Sequence, residues 1–133
     1  MDEAAFKHYK IGVDTIDTEH WNLFEALNKI TPTITKAELT QFASEMLQLL
    51  QSHFATEEEL MEKIAFPYAH THREDHKKLS QQFESFVNKI ETDNIYNNEY
   101  LKKDLEKLFL FHIDNFDAQY GAWAKKINFV ESK

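Results

Sequence analysis

The stretch TKAELTQFASEMLQLLQSHFATEEELM (residues 35–61) carries apolar side chains at the three- and four-residue spacing of one helix face. It opens with Thr35 and Glu38, the pattern of a capping box, in which each side chain accepts a hydrogen bond from the other residue's backbone amide. The stretch therefore predicts a long amphipathic helix that begins at Thr35 and continues to Pro67. Its apolar positions are Leu39, Phe42, Met46, Leu49, Leu50, Phe54 and Met61.

Three further segments show the same helical periodicity. One precedes this helix, at residues 18–30, with Asp17 as its predicted N-cap. Two follow it, at residues 69–90 and 99–117. The pattern predicts four helices in one all-α protein.

The segments between these helices are short. They are TPTITK (31–36), the proline at position 67 and the polar stretch ETDNIYNNE (91–99). Short connections make neighbouring helices antiparallel, so we expect an up-down-up-down four-helix bundle. We expect an irregular N-terminal arm before it and a short C-terminal arm, GAWAKKINFV (121–130), that covers one end either as irregular chain or as a further helical turn.

Composition supports this architecture. The chain has 133 residues, of which 42% are hydrophobic, and this size corresponds to a single domain over residues 1–133 with its own core. Only two glycines and two prolines are present, too few for the turns of a many-stranded protein.

Composition also excludes several functions. The formal net charge of −8 disfavours nucleic acid as a partner, because phosphates would be repelled. No stretch approaches the roughly 20 apolar residues of a membrane span, and the N-terminus lacks the features of a signal peptide. We therefore expect a cytoplasmic protein. Zero cysteines exclude thiolate ligands, so any metal must be held by histidine, aspartate and glutamate.

Two of the predicted helices carry residue pairs with metal-ligand spacing. Residues four apart in a helix are separated by about 40° around its axis and share a face. His53 and Glu57 have this spacing in the second segment, and His72 and His76 have it in the third. HREDH (72–76) lacks the H-E-x-x-H order of zinc proteases, so further ligands must come from elsewhere in the chain.

The remaining two helices supply such ligands. The first contains His20, and the fourth contains His112 and Asp117, whose five-residue spacing requires a distorted turn or a carboxylate that reaches across. Taken singly, each feature has an ordinary interpretation: His20 as a hydrogen-bonded core or surface residue, and His53 with Glu57 as a surface pair. The conjunction of all of them, beside large apolar residues, favours an interior metal site.

The series IDTEH, HFATEEELM, HREDH and HIDNFD resembles the hemerythrin family, whose pattern is one His, then H-x-x-x-E, H-x-x-x-H and H-x-x-x-x-D. All seven positions match in order. The resemblance implies a four-helix bundle with a non-haem di-iron centre, bridged by oxide or hydroxide, that binds dioxygen reversibly. It implies that one iron is bound by His72, His76 and His112 and the other by His20 and His53. Glu57 and Asp117 would bridge the two irons.

The resemblance also implies one open position, on the two-histidine iron, and an apolar oxygen pocket beside it. Leu23, Phe54, Phe109 and Ile113 lie next to a ligand or one turn from it and match that pocket, although ordinary core positions explain them equally well. Tyr120 matches a tyrosine of the family and is either a residue that supports the site or a core residue.

Two further residues lie near the predicted ligands in the sequence, and the role of the first is undecided. Trp21 follows the first ligand where relatives commonly have a polar residue, and it represents either a change in packing or a change in access to the iron. His70 lies about 200° around a helix from His72 and is expected to face solvent.

Three functions of different classes are consistent with such a site. The leading one is reversible dioxygen binding, as a carrier, store or supply protein. The second is a sensor that reports oxygen or redox state to a protein partner. The third is an enzyme that reduces peroxide or nitric oxide.

Overall fold

The computed structural model describes residues 2–92 and 98–131, and all regular elements within these ranges are helical. The all-α prediction is thus confirmed, whereas the up-down-up-down order stays a prediction. The elements are α1 (Glu3–Phe6) with a 3₁₀ turn (Lys7–Tyr9), α2 (Asp14–Ala26) with a 3₁₀ turn (Leu27–Lys29), α3 (Lys36–Lys63), α4 (Ala69–Thr92), α5 (Asn98–His112), a π-helix (Ile113–Asp117) and α6 (Ala118–Lys126).

The longest helix, α3, begins as predicted. Thr35 Oγ1 accepts a hydrogen bond from the Glu38 amide, and Glu38 Oε1 accepts one from the Thr35 amide, each at 3.1 Å. The predicted apolar stripe is buried except at Leu49, whose side chain is 53% exposed. Leu49 was therefore wrongly assigned to the core face, because adjacent Leu49 and Leu50 point about 100° apart and only one of them can face the interior.

The end of α3 differs from the prediction. The helix ends at Lys63 rather than continuing to Pro67. Ala65 adopts a φ of 51°, and the Phe66 amide donates to the Met61 carbonyl at 2.9 Å. This is the left-handed closing turn of a Schellman motif, which terminates a helix without proline.

The start of α2 also differs. Asp17 is not the N-cap, because the helix begins at Asp14 and Val13 occupies the cap position. The Asp17 carboxylate instead accepts hydrogen bonds from the amides of Ile11 at 2.7 Å and Gly12 at 3.2 Å. Asp17 thereby fixes the chain that precedes the helix.

The C-terminal segment contains the further helical turn that the sequence allowed. Helix α6 extends to Lys126, so the first part of the expected arm is helical. Beyond it, Glu131 accepts hydrogen bonds from the amide of Thr15 at 3.1 Å and its hydroxyl at 2.6 Å. Because Val13 has no side-chain oxygen, this distant carboxylate satisfies a free amide at the start of α2.

Two apolar clusters form most of the core. The larger includes Leu23, Leu50, Leu79 and Phe109 from four helices, and the smaller contains residues of α2, α3 and α6 together with the turn after α3. Along the chain, the predicted ligands of each helix fall between residues of these clusters. The polar residues are thus enclosed by apolar packing on both sides. Within the described part of the chain, no helix has the length and apolar character needed to cross a bilayer.

Candidate metal centre

The seven residues with metal-ligand spacing come together in the interior. Each has at most 5% of its surface exposed. Their ligand atoms form two overlapping groups, within each of which all atoms lie within 4.8 Å of one another. Glu57 and Asp117 belong to both groups. The first group adds His72, His76 and His112, and the second adds His20 and His53.

A local change of helix type places Asp117 beside His112. The chain leaves α-helical geometry at Ile113 and forms a π-helix, in which the Ala118 amide donates to the carbonyl five residues earlier. In such a turn, residues five apart lie one above the other. The distorted turn that the spacing requires is therefore present.

Asp117 faces histidines of both groups through different oxygens. Its Oδ1 lies 2.9 Å from His72 Nε2 and 3.0 Å from His112 Nε2. Its Oδ2 lies 2.9 Å from His20 Nε2. One carboxylate thus directs one oxygen toward each half of the site.

Glu57 is the second central carboxylate. Its Oε1 lies 2.6 Å from His53 Nε2 and 3.7 Å from His76 Nε2, so it also adjoins both halves. Its Oε2 accepts a hydrogen bond from the Tyr120 hydroxyl at 2.7 Å. Tyr120 is fully buried, and this bond shows that it supports a carboxylate of the site.

Most of the inward-facing atoms are buried without a hydrogen bond. Leaving so many polar atoms unpaired in an apolar interior is costly, so the set calls for a bound cation that all of them can contact. Imidazole nitrogens and carboxylate oxygens together are a normal donor set for divalent transition metals. The unpaired atoms include His20 Nε2, His72 Nε2, His76 Nε2, His112 Nε2, Glu57 Oε1 and both carboxylate oxygens of Asp117.

Three outer carboxylates orient the ligands, each across a helix boundary. Glu19 of α2 lies 2.7 Å from Nδ1 of His53 on α3. Asp75 of α4 lies 2.6 Å from Nδ1 of His112 on α5. The third pair joins Glu58 of α3 to His76 Nδ1 of α4 at 3.1 Å. Each of these carboxylates is the sequence neighbour of a predicted ligand on its own helix, and it contacts Nδ1 of a histidine on the following helix. The Nε2 atom of that histidine is then free to face the interior of the site.

The nearby carboxylates also affect the protonation of three of the histidines. Burial alone lowers the pKa of His20, His53 and His112, but the negative charge of the nearby carboxylates outweighs it. At His76 burial prevails and lowers the pKa to about 4. The pKa rises to about 9 for His20 and His53 and to about 10 for His112. In return, histidines hold the pKa of Asp117 well below its usual value despite its burial. A metal ion would displace the protons that these imidazoles hold at neutral pH.

A small apolar cavity of about 20 Å³, comparable to the space of one water molecule, lies beside one half of this cluster. It is bounded by His20, His53, His112 and Asp117, but not by His72, His76 or Tyr120. Its apolar lining includes the four predicted pocket residues, Leu23, Phe54, Phe109 and Ile113. Three further residues complete this lining: Phe24, Leu50 and Leu79.

Comparison with known proteins gives a consistent result. Residues 11–124 match the family model described as hemerythrin HHE cation binding domain. The chain belongs to the hemerythrin family. It is 27% identical over 118 residues to a bacteriohemerythrin of Stenotrophomonas maltophilia, with 86% of this chain and 76% of the relative covered. It is 28% identical over 119 residues to a bacteriohemerythrin of Aquifex aeolicus, with 84% and 89% covered. No solved structure gives a significant match.

Several residues of this hemerythrin site were not predicted from the sequence. The outer carboxylates Glu19, Glu58 and Asp75 were missed, although each is the immediate neighbour of a predicted ligand. Trp21 proves to pack, half-buried, against Phe24 at a ring distance of 6.4 Å. The histidine expected to face solvent, at position 70, is exposed.

Proposed function

We propose that this hemerythrin binds dioxygen reversibly at a di-iron centre held by the buried cluster. The observation that carries the proposal is the set of inward-facing imidazole and carboxylate atoms, buried and without hydrogen bonds, in two groups that share two carboxylates. Mononuclear sites do not need two overlapping groups. Neutral imidazoles suit ferrous iron, whereas sites richer in carboxylate favour oxidative chemistry.

In this proposal the two irons have unequal ligand sets. His72, His76 and His112 bind one iron and His20 and His53 the other, while Glu57 and Asp117 bridge them. The two oxygens of Asp117, each directed at histidines of a different group, support its bridging role. The iron held by two histidines would have one protein ligand fewer and could bind an exogenous molecule.

The cavity supports this inequality. It borders both histidines of the two-histidine iron and only one histidine of the other, so the free position opens into apolar space. When bound, the two irons supply the electrons for reversible dioxygen binding. The chain's own contribution is exclusion: Leu23, Phe54 and Ile113 keep water and protons away from the bound molecule and so favour its release unchanged.

Phe54 serves both the pocket and the ligand shell. It lines the cavity, and its ring stacks on His76 at a centroid distance of 4.0 Å and an interplanar angle of 11°. The stacking fixes a ligand of the three-histidine iron while the ring's edge bounds the space beside the other iron. We infer that ligand orientation and pocket shape are coupled at this residue.

The test is anaerobic reconstitution with ferrous iron followed by exposure to air, monitored in the visible spectrum with iron content measured in parallel. We expect about two irons per chain and a coloured adduct that disappears when oxygen is removed. A protein that keeps one metal after iron-replete reconstitution would contradict the di-iron assignment. Continuous consumption of oxygen or peroxide without an adduct would replace binding by catalysis.

A further inference from the structure

The N-terminal segment of residues 2–10 is attached to the rest of the protein by the buried ring of Phe6 and the half-buried ring of Tyr9. The hydrogen bonds of this segment join residues within it, such as those from the Ala5 amide to the Asp2 side chain and from the Lys10 amide to the Lys7 carbonyl. Within this segment only Phe6 is buried, with 2% of its surface exposed. Because Phe6 is the more fully buried of the two rings, it makes the larger contribution to the free energy that holds the segment in place.

Phe6 is buried against the outer face of the pocket wall. Its ring lies 5.4 Å from that of Phe24 and 5.2 Å from that of Trp21, measured between centroids. Phe6, Phe24 and Ile113 form one apolar cluster, and the latter two also line the cavity. On this side, the wall between cavity and solvent consists of an inner layer and the N-terminal segment outside it.

The segment is followed by a point at which the chain is held to α2. The amides of Ile11 and Gly12 are held by the Asp17 carboxylate at the start of α2. Gly12 has a φ of 92°, and a side chain placed there would have nothing within 4 Å. A φ of this sign favours glycine. Because Asp17 holds Ile11 and Gly12, residues 2–10 can leave the pocket wall while the attachment of the chain to α2 stays intact.

We propose that Phe6 is the removable part of the pocket wall, so that small ligands reach the two-histidine iron when residues 2–10 swing away and Phe24 is free to move. This inference rests on the proposed di-iron site. It also gives Trp21 a role in ligand access to the iron rather than in metal binding. The Trp21 ring packs beside Phe24 and, together with Phe6, forms the outer layer of the wall.

Such a gate has a kinetic signature. Burial of one phenyl ring favours the closed arrangement by roughly ten- to a hundredfold. Removing the ring raises the rates of ligand entry and exit by the same factor, because the gate lies on the path and not at the iron. The equilibrium affinity then stays unchanged. A change at the metal itself would alter affinity.

The experiment measures azide binding to the ferric holoprotein by stopped-flow absorbance, in the unaltered protein, Phe6→Ala and Phe6→Leu. We expect Phe6→Ala to accelerate both association and dissociation roughly tenfold or more with an unchanged Kd, and Phe6→Leu to lie between. The matched control is Phe129→Ala, which removes a half-buried ring from the C-terminal segment, in the smaller apolar cluster and away from the cavity.

A second readout does not depend on ligand binding. Lys7 and Lys10 are exposed, and trypsin cleavage there, followed by intact mass in the holoprotein, reports release of the segment. Phe6→Ala should be cleaved faster than the unaltered protein and than Phe129→Ala. Equal azide rates in all variants would overturn the gate, as would a change in Kd without a change in rates. Faster azide binding in Phe6→Ala, from a protein that forms no oxygen adduct, would instead retain the gate and refute oxygen binding.

Discussion

The two halves of the buried cluster have similar ligands in different surroundings. Around His72, His76 and His112, aromatic rings fill the space: Phe54 stacks on His76 at 4.0 Å, and Phe116 stacks on His112 at 5.4 Å. Beside His20 and His53 lies the apolar cavity. We call these the packed half and the open half. Aromatic rings crowd the ligands of the packed half, whereas the cavity adjoins both histidines of the open half.

Hydrogen bonding does not account for this difference. Outer carboxylates hold His76 and His112 in the packed half, and Glu19 holds His53 in the open half at a similar distance. The halves differ in what occupies the volume next to the ligands. We therefore expect packing to set the reactivity of this site, and the polar contacts common to both halves to set how firmly it retains metal.

The largest effect should come from a residue that both halves share. Glu57→Ala removes an oxygen donor that adjoins histidines of both groups, so we expect loss of both irons and no oxygen adduct. Glu59→Ala, an exposed neighbour on α3, is the control and should keep two irons. Iron analysis after reconstitution measures the outcome. A Glu57→Ala protein with two irons would show that this residue is not a bridge.

The next largest effect should come from removing the outer carboxylate that contacts a histidine in each half. Asp75→Asn removes the charge that holds His112 in the packed half, and Glu19→Gln does the same for His53 in the open half. Each should weaken iron binding by roughly 10- to 100-fold. Chelator competition measures it. The control is Glu74→Gln, whose exposed carboxylate pairs with Lys77 on the surface. Unchanged affinity in both variants would mean that packing alone orients the ligands.

A smaller effect, on rate alone, should follow from opening the cavity. Ile113→Ala or Leu23→Asn admits water to the open half, so the adduct should decay to ferric protein several times faster while both irons remain. Decay of the visible band after mixing with air measures this. Leu105→Ala creates a comparable void in the main core at a residue that does not line the cavity, and should not accelerate decay. Equal decay in all three variants would refute the shielding role of the pocket.

Local patterns predicted most of these features, and contacts between helices account for what was missed. The capping box at Thr35 and the i,i+4 ligand pairs are properties of one helix, and periodicity reveals them. Asp17 was misassigned because an aspartate at the N-cap and one in the first turn give the same pattern. The bond from Asp75 to His112 joins residues 37 positions apart, and no local spacing encodes it.

The pocket shows the same limit. Leu23 and Phe109 were predicted to line it from their distance to a ligand, whereas Phe24, Leu50 and Leu79 were not. All five are apolar residues on helices, and sequence periodicity does not distinguish a side chain that lines a cavity from one in a filled core. Only the relative placement of the helices decides this.

The smallest effect on the site is expected at Tyr120, which lies on the side away from the cavity. Burial raises the pKa of Tyr120 well above its usual value, and nearby carboxylates add to the shift, so the hydroxyl stays protonated and donates to Glu57. Tyr120→Phe removes one hydrogen bond to a charged group and should lower the free energy of unfolding by roughly 1.5–3 kcal/mol. The melting temperature of the holoprotein falls, with two irons retained. Because Tyr120 does not border the cavity, the adduct should decay at the unaltered rate. Decay as fast as in Ile113→Ala would show that water also enters through the packed half, and the division of the site into a packed and an open half would fail.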